Sequence, residues 1–127
     1  MKRTALVYGT LRPGNGERVT VSGFKMFNIG WFPGIVRGDG EIVCERVEVK
    51  DDEHLASLDR YEGYSEENPE SSLYTRQLHG DDFIYVYNCS VNEDTEVEGG
   101  DWLEFTGETR GRNAHLATLE LNQGVGG

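Results

Sequence analysis

One helical segment stands among many short β-like runs in this chain, and that imbalance constrains the fold more than any other feature. The helix begins after Asp51, whose side chain suits an N-cap, and acids occupy its first turn. Leu55 and Leu58 are three residues apart and share one face, and Gly63 is placed to end the helix. The sequence therefore predicts a single short helix that stops at Gly63.

The rest of the pattern is predominantly β. Apolar residues bounded by turn residues predict strands at residues 4–8, 18–23, 24–29, 35–36, 41–49, 73–78 and 83–91. Short turns join most of these runs, including a predicted hairpin turn at residues 79–82. Because closure removes the exposed edges of a sheet, six or seven short strands with one helix predict a small β-barrel.

Glu62, in the last turn of the predicted helix, points toward the core. At about 100° per residue it lies roughly 20° from Leu55 on the helix surface. Burial and the C-terminal end of the helix dipole both disfavour a negative charge, so we expect a raised pKa for Glu62, as in a general acid/base. The alternative is a structural acid that turns outward or forms a salt bridge with an arginine such as Arg76. The residues alone leave both open.

Two further segments carry candidate chemistry. The first is the glycine-containing turn Tyr8-Gly9-Thr10-Leu11-Arg12, whose backbone N–H groups could bind a carboxylate or an oxyanion. It could equally be an ordinary turn after a strand, and it lacks the Gly-Lys-Ser/Thr of a phosphate loop. The second is Tyr74, which is either a core ring with a satisfied hydroxyl or a hydroxyl donor in a pocket.

Composition excludes several function classes. With 127 residues there is room for one domain, and the net charge of −11 argues against binding of nucleic acid or of an anionic membrane. No apolar run approaches a membrane span and the N-terminus lacks a signal-peptide pattern, so we expect a cytoplasmic protein. Cys44 and Cys89 are expected to be buried reduced thiols. The histidines show no metal-ligand spacing, so we expect no metal and no cofactor.

The charge is unevenly distributed. Residues 1–37 hold six basic residues and one acid, whereas residues 51–70 hold eight acids and one arginine. The basic segment could frame a site for an anionic small molecule, with Arg12 or Arg18 attracting it over a distance. The alternative is that the basic and acidic residues form solvated faces that pair with each other and bind no ligand.

Taken together, four segments resemble the γ-glutamylcyclotransferase-like family, which includes the γ-glutamylamine cyclotransferases and the plant avirulence-induced-gene-like proteins. The resemblance covers about residues 4–105 and rests on the order and spacing of Tyr8-Gly9-Thr10-Leu11-Arg12, Leu58-Asp59-Arg60-Tyr61-Glu62-Gly63-Tyr64, Tyr74-Thr75-Arg76 and Gly100-Asp101-Trp102.

The resemblance implies an α+β, mostly β fold: a small closed six-stranded mixed β-barrel with one clear helix and a pocket at one mouth. This domain would span residues 1–106, followed by a weakly structured tail, residues 107–127, in which residues 114–121 could form one helical stretch. In the family, backbone groups of the first turn hold the γ-glutamyl moiety, here those of Tyr8, Gly9, Thr10 and Leu11. Glu62 matches the catalytic acid, and Tyr74 matches the tyrosine that lines the pocket beside it.

The implied reaction is cyclisation of a γ-glutamyl amine or amino acid to 5-oxoproline with release of the free amine, Glu62 acting first as base and then as acid. The sequence leaves the identity of that amine open, and it predicts a monomer or small homo-oligomer. Two alternatives stay open: a non-catalytic module that binds a glutamyl-like ligand, and an acidic protein-interaction domain that uses residues 51–70.

Overall fold

The computed structural model describes residues 3–118 and is built on one mixed sheet of five strands. The strands are β1 (Arg3–Val7), β2 (Glu17–Asn28), β3 (Pro33–Val49), β4 (Tyr74–His79) and β5 (Asp82–Tyr87). Their order across the sheet is β2-β3-β1-β5-β4. The β1–β5 pair is parallel, and the other three pairs are antiparallel. The sheet curves into a half-barrel.

Three α-helices accompany the sheet: α1 (Asp52–Glu62), α2 (Trp102–Thr106) and α3 (Ala114–Thr118). The predicted helix is confirmed as α1, with the predicted ends. The Asp51 carboxylate accepts a hydrogen bond from the His54 N–H at 2.8 Å, and Gly63 adopts the left-handed conformation at φ 70°. None of the helices within residues 3–118 combines the length and apolarity needed to cross a bilayer.

The predicted closed six-stranded barrel is wrong for the described residues. The runs predicted at 18–23 and 24–29 are one strand, β2, and those at 35–36 and 41–49 are one strand, β3. The two long strands bend rather than break: Gly23 adopts φ 95°, and the pairing register shifts between Ser22 and Phe24. Gly23, where the sequence predicted one strand to end, therefore lies at an irregularity within a continuous strand.

The open side of the half-barrel is spanned by side chains. Between β3 and β4, the Arg37 guanidinium donates to Gln77 Oε1 at 2.8 Å, and the Tyr74 hydroxyl donates to the Pro33 carbonyl at 2.6 Å. Within residues 3–118 no backbone ladder joins β4 to β3 or to β2. The strands β2 and β4 are therefore the two edges of the sheet.

The sheet has a hydrophobic core on each face. Successive β1 residues alternate between them, with Leu6 in the first core and Ala5 and Val7 in the second. The first core is covered by Trp102 and Leu103 of α2, and the second by Leu55 and Leu58 of α1. Because β1 is central and buried on both faces, its sequence is a continuous apolar run rather than an alternating one.

A buried ion cluster holds the turn that follows β1. Arg12 is 0% exposed, and its Nε donates to Glu45 Oε2 at 2.7 Å while Nη1 donates to Asp101 Oδ1 at 2.8 Å. The Glu45 carboxylate also accepts from the backbone N–H groups of Gly14 and Gly16, at 2.9 and 2.8 Å. Arg12 is thus a structural residue, and the expectation that it attracts an anionic substrate is not supported.

The chain beyond residue 106 packs against the same turn. Gly111 donates its N–H to the Arg12 carbonyl at 2.6 Å, and Asn113 donates its N–H to the Thr10 carbonyl at 2.8 Å. Ala114 and Ala117 of α3 are buried. Within the expected weakly structured tail, Gly111, Ala114 and Ala117 are therefore packed, while residues 119–127 lie outside the described residues. The division of the chain at residue 106 stays a prediction.

The two cysteines differ in environment. Both are free thiols, but Cys44 is buried in β3 whereas Cys89 is exposed after β5. The expectation of a buried pair therefore holds for Cys44 only.

We expect Arg12→Met to lower the free energy of unfolding by roughly 3–5 kcal/mol, because it leaves the Glu45 carboxylate buried without its cation. Arg3→Met is the matched control. The Arg3–Asp52 pair lies at the surface, with side chains 38% and 95% exposed, so its loss is expected to change stability by less than about 1 kcal/mol.

Urea denaturation of the two variants and the wild type measures the difference. Adding Glu45→Gln to Arg12→Met should recover part of the loss, since the buried charge is then removed. Equal stability of Arg12→Met and Arg3→Met would show that the ion cluster has no structural role.

Candidate active site

A cavity of about 220 Å³ opens at the carboxyl end of β1. Its wall is formed by residues 6–11, 32–33, 61–62 and 73–74, together with Tyr85. It is somewhat smaller than the roughly 300–1,000 Å³ typical of drug-sized ligand pockets, so its size suits a small metabolite. The structure thus brings all the predicted site residues, Tyr8, Gly9, Thr10, Leu11, Glu62 and Tyr74, to one cavity.

The first turn forms part of the cavity wall. The Arg12 N–H donates to the Gly9 carbonyl at 3.0 Å, which closes the turn. Thr10 and Leu11 are its central residues, and within residues 3–118 their N–H groups have no hydrogen-bond acceptor. Gly9 packs against Pro33 so closely that a Cβ atom on it would lie 2.5 Å from Pro33 Cγ. Only glycine allows this approach. The N–H groups of Thr10 and Leu11 are two donors that a ligand could use.

Glu62 is the last residue of α1 and lines the cavity as a half-buried side chain. Burial raises the pKa of the Glu62 carboxyl from its ordinary 4.5 to about 8, and the nearby Asp59 carboxylate adds to the rise. No hydrogen bond or cation in the described part of the chain lowers it. The side chain therefore exchanges a proton near neutral pH, as a general acid/base must.

Asp59, one turn before Glu62, occupies a very different environment. Its carboxylate accepts a hydrogen bond from the Tyr85 hydroxyl at 2.6 Å and pairs with the Arg76 guanidinium. Arg76 Nη2 also lies 3.3 Å from Glu66 Oε2. The guanidinium therefore pairs with Asp59 and Glu66, and not with Glu62. The alternative interpretation, a Glu62–Arg76 salt bridge, is not what the structure shows.

The two predicted tyrosines use their hydroxyls inside the protein. Tyr74 OH donates to the Pro33 carbonyl at 2.6 Å, and Tyr8 OH donates to the Tyr85 carbonyl at 2.7 Å. Burial raises the pKa of both phenols above the ordinary value of 10.0, so both stay neutral. Tyr74 is therefore both a satisfied core ring and a wall of the cavity.

A chain of hydrogen bonds that the sequence did not indicate crosses the cavity mouth. The Tyr61 hydroxyl lies 2.5 Å from Thr10 Oγ1 and accepts from Asn113 Nδ2 at 2.8 Å. Asn113 belongs to the C-terminal segment and precedes α3. No motif marks it, because its role depends on where that segment crosses the first turn. Tyr85 was likewise missed. For Asp59 the sequence predicted only that Arg76 could pair with it or with Glu62, and the structure shows the pair with Asp59.

The same segment touches the turn through Gly111. A Cβ atom on Gly111 would lie 2.3 Å from the Thr10 carbonyl oxygen and 2.7 Å from the Gly9 carbonyl oxygen. The backbones of the two segments are therefore in direct contact behind the cavity wall.

Comparison with known proteins identifies a family and several relatives that this chain resembles. A family model described as "Gamma-glutamyl cyclotransferase, AIG2-like" matches residues 5–104. The chain is 31% identical to the gamma-glutamylcyclotransferase family protein YtfP of Escherichia coli strain K12, over 77% of this chain and 94% of that protein. The protein of the same name from Citrobacter rodentium is also 31% identical, over 77% of this chain and 93% of its own length.

Two solved structures are similar to the fold. The solution NMR structure of ytfP from Escherichia coli has a TM-score of 0.57 at 27% identity and covers 81% of this chain and 98% of that one. The crystal structure of an uncharacterized protein from Pyrococcus horikoshii has a TM-score of 0.61 and covers 82% of this chain and 92% of that one. At 19% identity, the latter likeness concerns the fold alone.

The raised pKa of Glu62 predicts a pH-dependent stability difference between wild type and Glu62→Gln. The unfolded glutamate titrates near 4.5 and the folded one near 8, so the folded state holds a proton that the unfolded chain releases. The stability contributed by protonated Glu62 is complete below about pH 4.5 and is lost as the pH rises through 8. Glu62→Gln has no carboxyl group to titrate at this position, so its stability does not fall in this way as the pH rises. It should melt higher than wild type by about 3 °C or more at pH 8 and by much less at pH 5.

Melting curves between pH 5 and 9 test this expectation. Glu67→Gln, which removes an exposed acid from the loop after α1, is the control and should show no such trend. A Glu62→Gln variant that melts below wild type at pH 8 would mean that the carboxylate is paired in solution.

We expect Gly111→Ala to displace the first turn, because its Cβ would overlap the Thr10 carbonyl. The loss of stability should be about 1–3 kcal/mol, with large amide chemical-shift changes at Thr10 and Leu11 by NMR. Gly38→Ala is the control, since its Cβ would meet only the flexible Lys25 side chain, at 3.2 Å. If the two variants leave the Thr10 and Leu11 amides equally unchanged, the backbone contact is absent in solution.

Proposed function

The chain belongs to the AIG2-like gamma-glutamyl cyclotransferase family, and on that basis we propose that it converts a γ-glutamyl amine or amino acid into 5-oxoproline and the free amine. Glu62 is the general base and then the general acid of this reaction. The observation that carries the proposal is a carboxyl group with a pKa of about 8 in a cavity beside two free backbone donors.

The nucleophile in this reaction comes with the substrate. The α-nitrogen attacks the γ-carbonyl carbon, a new C–N bond closes the five-membered ring, and the bond from that carbon to the leaving nitrogen breaks. Over the whole reaction the α-nitrogen loses two protons and the leaving nitrogen gains two, so the products are 5-oxoproline and an ammonium ion. The chemistry therefore requires a group that accepts a proton and returns one.

Glu62 suits both steps because its pKa lies near neutrality. As a carboxylate it removes a proton from the α-ammonium, which frees the lone pair for attack. As a carboxylic acid it protonates the leaving nitrogen while the tetrahedral intermediate collapses. Proton transfer by such a group typically contributes about 10²–10⁴-fold to the rate.

Substrate folding supplies a second contribution. A γ-glutamyl chain must bend so that its own amine meets its carbonyl, and orientation of this kind can contribute up to roughly 7–11 kcal/mol. The N–H groups of Thr10 and Leu11 are suited to hold the α-carboxylate or to receive the oxyanion. Loss of one oxyanion donor typically costs about 3–4 kcal/mol.

Glu62→Gln is expected to keep the fold and to lower 5-oxoproline formation at least about 100-fold, since Gln can neither accept nor return the proton. Mass spectrometry of 5-oxoproline released from a panel of γ-glutamyl compounds measures the effect. Glu67→Gln, with its site in the exposed loop, should retain full turnover.

Full turnover by Glu62→Gln would remove Glu62 from the mechanism. Binding of γ-glutamyl compounds by the wild type without any product would instead indicate a non-catalytic binding module.

A further inference from the structure

Charge is nearly absent from the cavity wall. Among the lining residues that belong to the described part of the chain, Glu62 is the sole acid, and neither lysine, arginine nor histidine is present. The surrounding wall is made of aliphatic and aromatic side chains, including Leu6, Phe32 and Leu73. In the proposed reaction, Glu62 is engaged by the α-amine of the substrate. No lining group is then left to pair with a charge on the rest of the substrate.

The mouth of the cavity is apolar as well. Leu73 is 41% exposed and Tyr61 is 37% exposed, and both line the opening. Trp31, next to the lining residue Phe32, is 76% exposed. Single exposed apolar residues are ordinary on a protein surface, but two that line one pocket indicate a surface that an apolar group covers.

Resting on the proposed function, we propose that the leaving amine carries an uncharged, apolar substituent, such as an alkyl or aromatic group. The turn and Glu62 take the polar γ-glutamyl half of the substrate, and the wall around Phe32 and Leu73 takes the substituent. An ammonium or carboxylate on that substituent would lose water without gaining a partner, which disfavours its binding. Polyamines and amino acids are therefore the disfavoured leaving groups.

Arg112 is not a lining residue of the cavity, but its side chain approaches Trp31. The guanidinium of Arg112 is 5.8 Å from the centre of the Trp31 ring, and Arg112 is exposed to solvent. An exposed cation is screened by water and ions, so its attraction for a carboxylate is weak.

A matched substrate series tests the proposal. The three compounds differ only in the group at the end of the amine chain. This group is a methyl in γ-glutamyl-butylamide, an ammonium in γ-glutamyl-4-aminobutylamide and a carboxylate in γ-glutamyl-4-aminobutyrate. We expect kcat/KM for 5-oxoproline formation to be at least tenfold higher with the butylamide. Equal values, or a preference for either charged compound, would overturn the proposal.

Substitutions at the mouth sharpen the test. Leu73→Lys should raise the relative kcat/KM of the carboxylate compound, and Leu73→Glu that of the ammonium compound, each at least threefold. The Leu73 backbone bonds, from its N–H to the Gly63 carbonyl and from the Asn88 N–H to its carbonyl, do not involve the side chain. Leu78→Lys is the control: Leu78 is 62% exposed on β4, is not part of the wall, and should leave the order of substrates unchanged.

Binding separates this proposal from the proposed function. Calorimetric titration of Glu62→Gln with the three compounds reports affinity without turnover, and the butylamide should bind at least tenfold more tightly than the others. If no compound yields 5-oxoproline but this order of affinity holds, the proposed reaction fails and the inferred ligand class stands. A preference for the carboxylate compound that Arg112→Gln abolishes would assign selection to Arg112 and overturn the proposal.

Discussion

The buried carboxylate of Glu45 is the constraint on which the rest of the structure depends. It lies in the central part of the sheet, where an unpaired charge would be strongly destabilising. Its partners, the Arg12 guanidinium and the N–H groups of Gly14 and Gly16, all come from the segment after β1. The chain must therefore turn tightly at the end of β1 and return over β3. Thr10 and Leu11 of that turn line the cavity, so a structural ion pair helps to position the candidate active site.

Asp59 and Glu62 lie on the same helix but differ in whether the carboxyl group has hydrogen-bonding partners. Asp59 has both a phenol and a guanidinium, whereas Glu62, three residues later, has neither and faces the cavity. Burial raises the pKa of Glu62, and the nearby Asp59 carboxylate adds to the rise. Divergent environments for neighbouring carboxyl groups commonly separate a structural acid from a functional one. The Arg76 side chain, which the sequence left as a possible partner of Glu62, pairs with Asp59 instead.

The site extends beyond the residues that match the family. Residues 5–104 carry the turn, Glu62 and Tyr74, but Gly111 and Asn113 lie outside that range and contact the turn and the mouth directly. Family membership therefore accounts for the chemistry proposed for the cavity floor. The mouth, formed by Tyr61, Leu73 and the C-terminal segment, is the part that would distinguish one substrate from another.

The sequence by itself determined the features that depend on neighbouring residues. Spacings of a few residues correctly predicted three features of α1: its cap at Asp51, its end at Gly63 and its buried face. The family motifs, also short, located the turn and the helix acid. Tertiary structure alone decided that β2 and β3 bend at glycines instead of ending there, which leaves a half-barrel in place of the predicted closed barrel. It also decided that Arg12 is buried, that Arg76 pairs with Asp59 and that Asn113 reaches Tyr61. Bends and ion pairs of this kind join residues distant in sequence, and their energies depend on burial and direction, which local patterns do not encode.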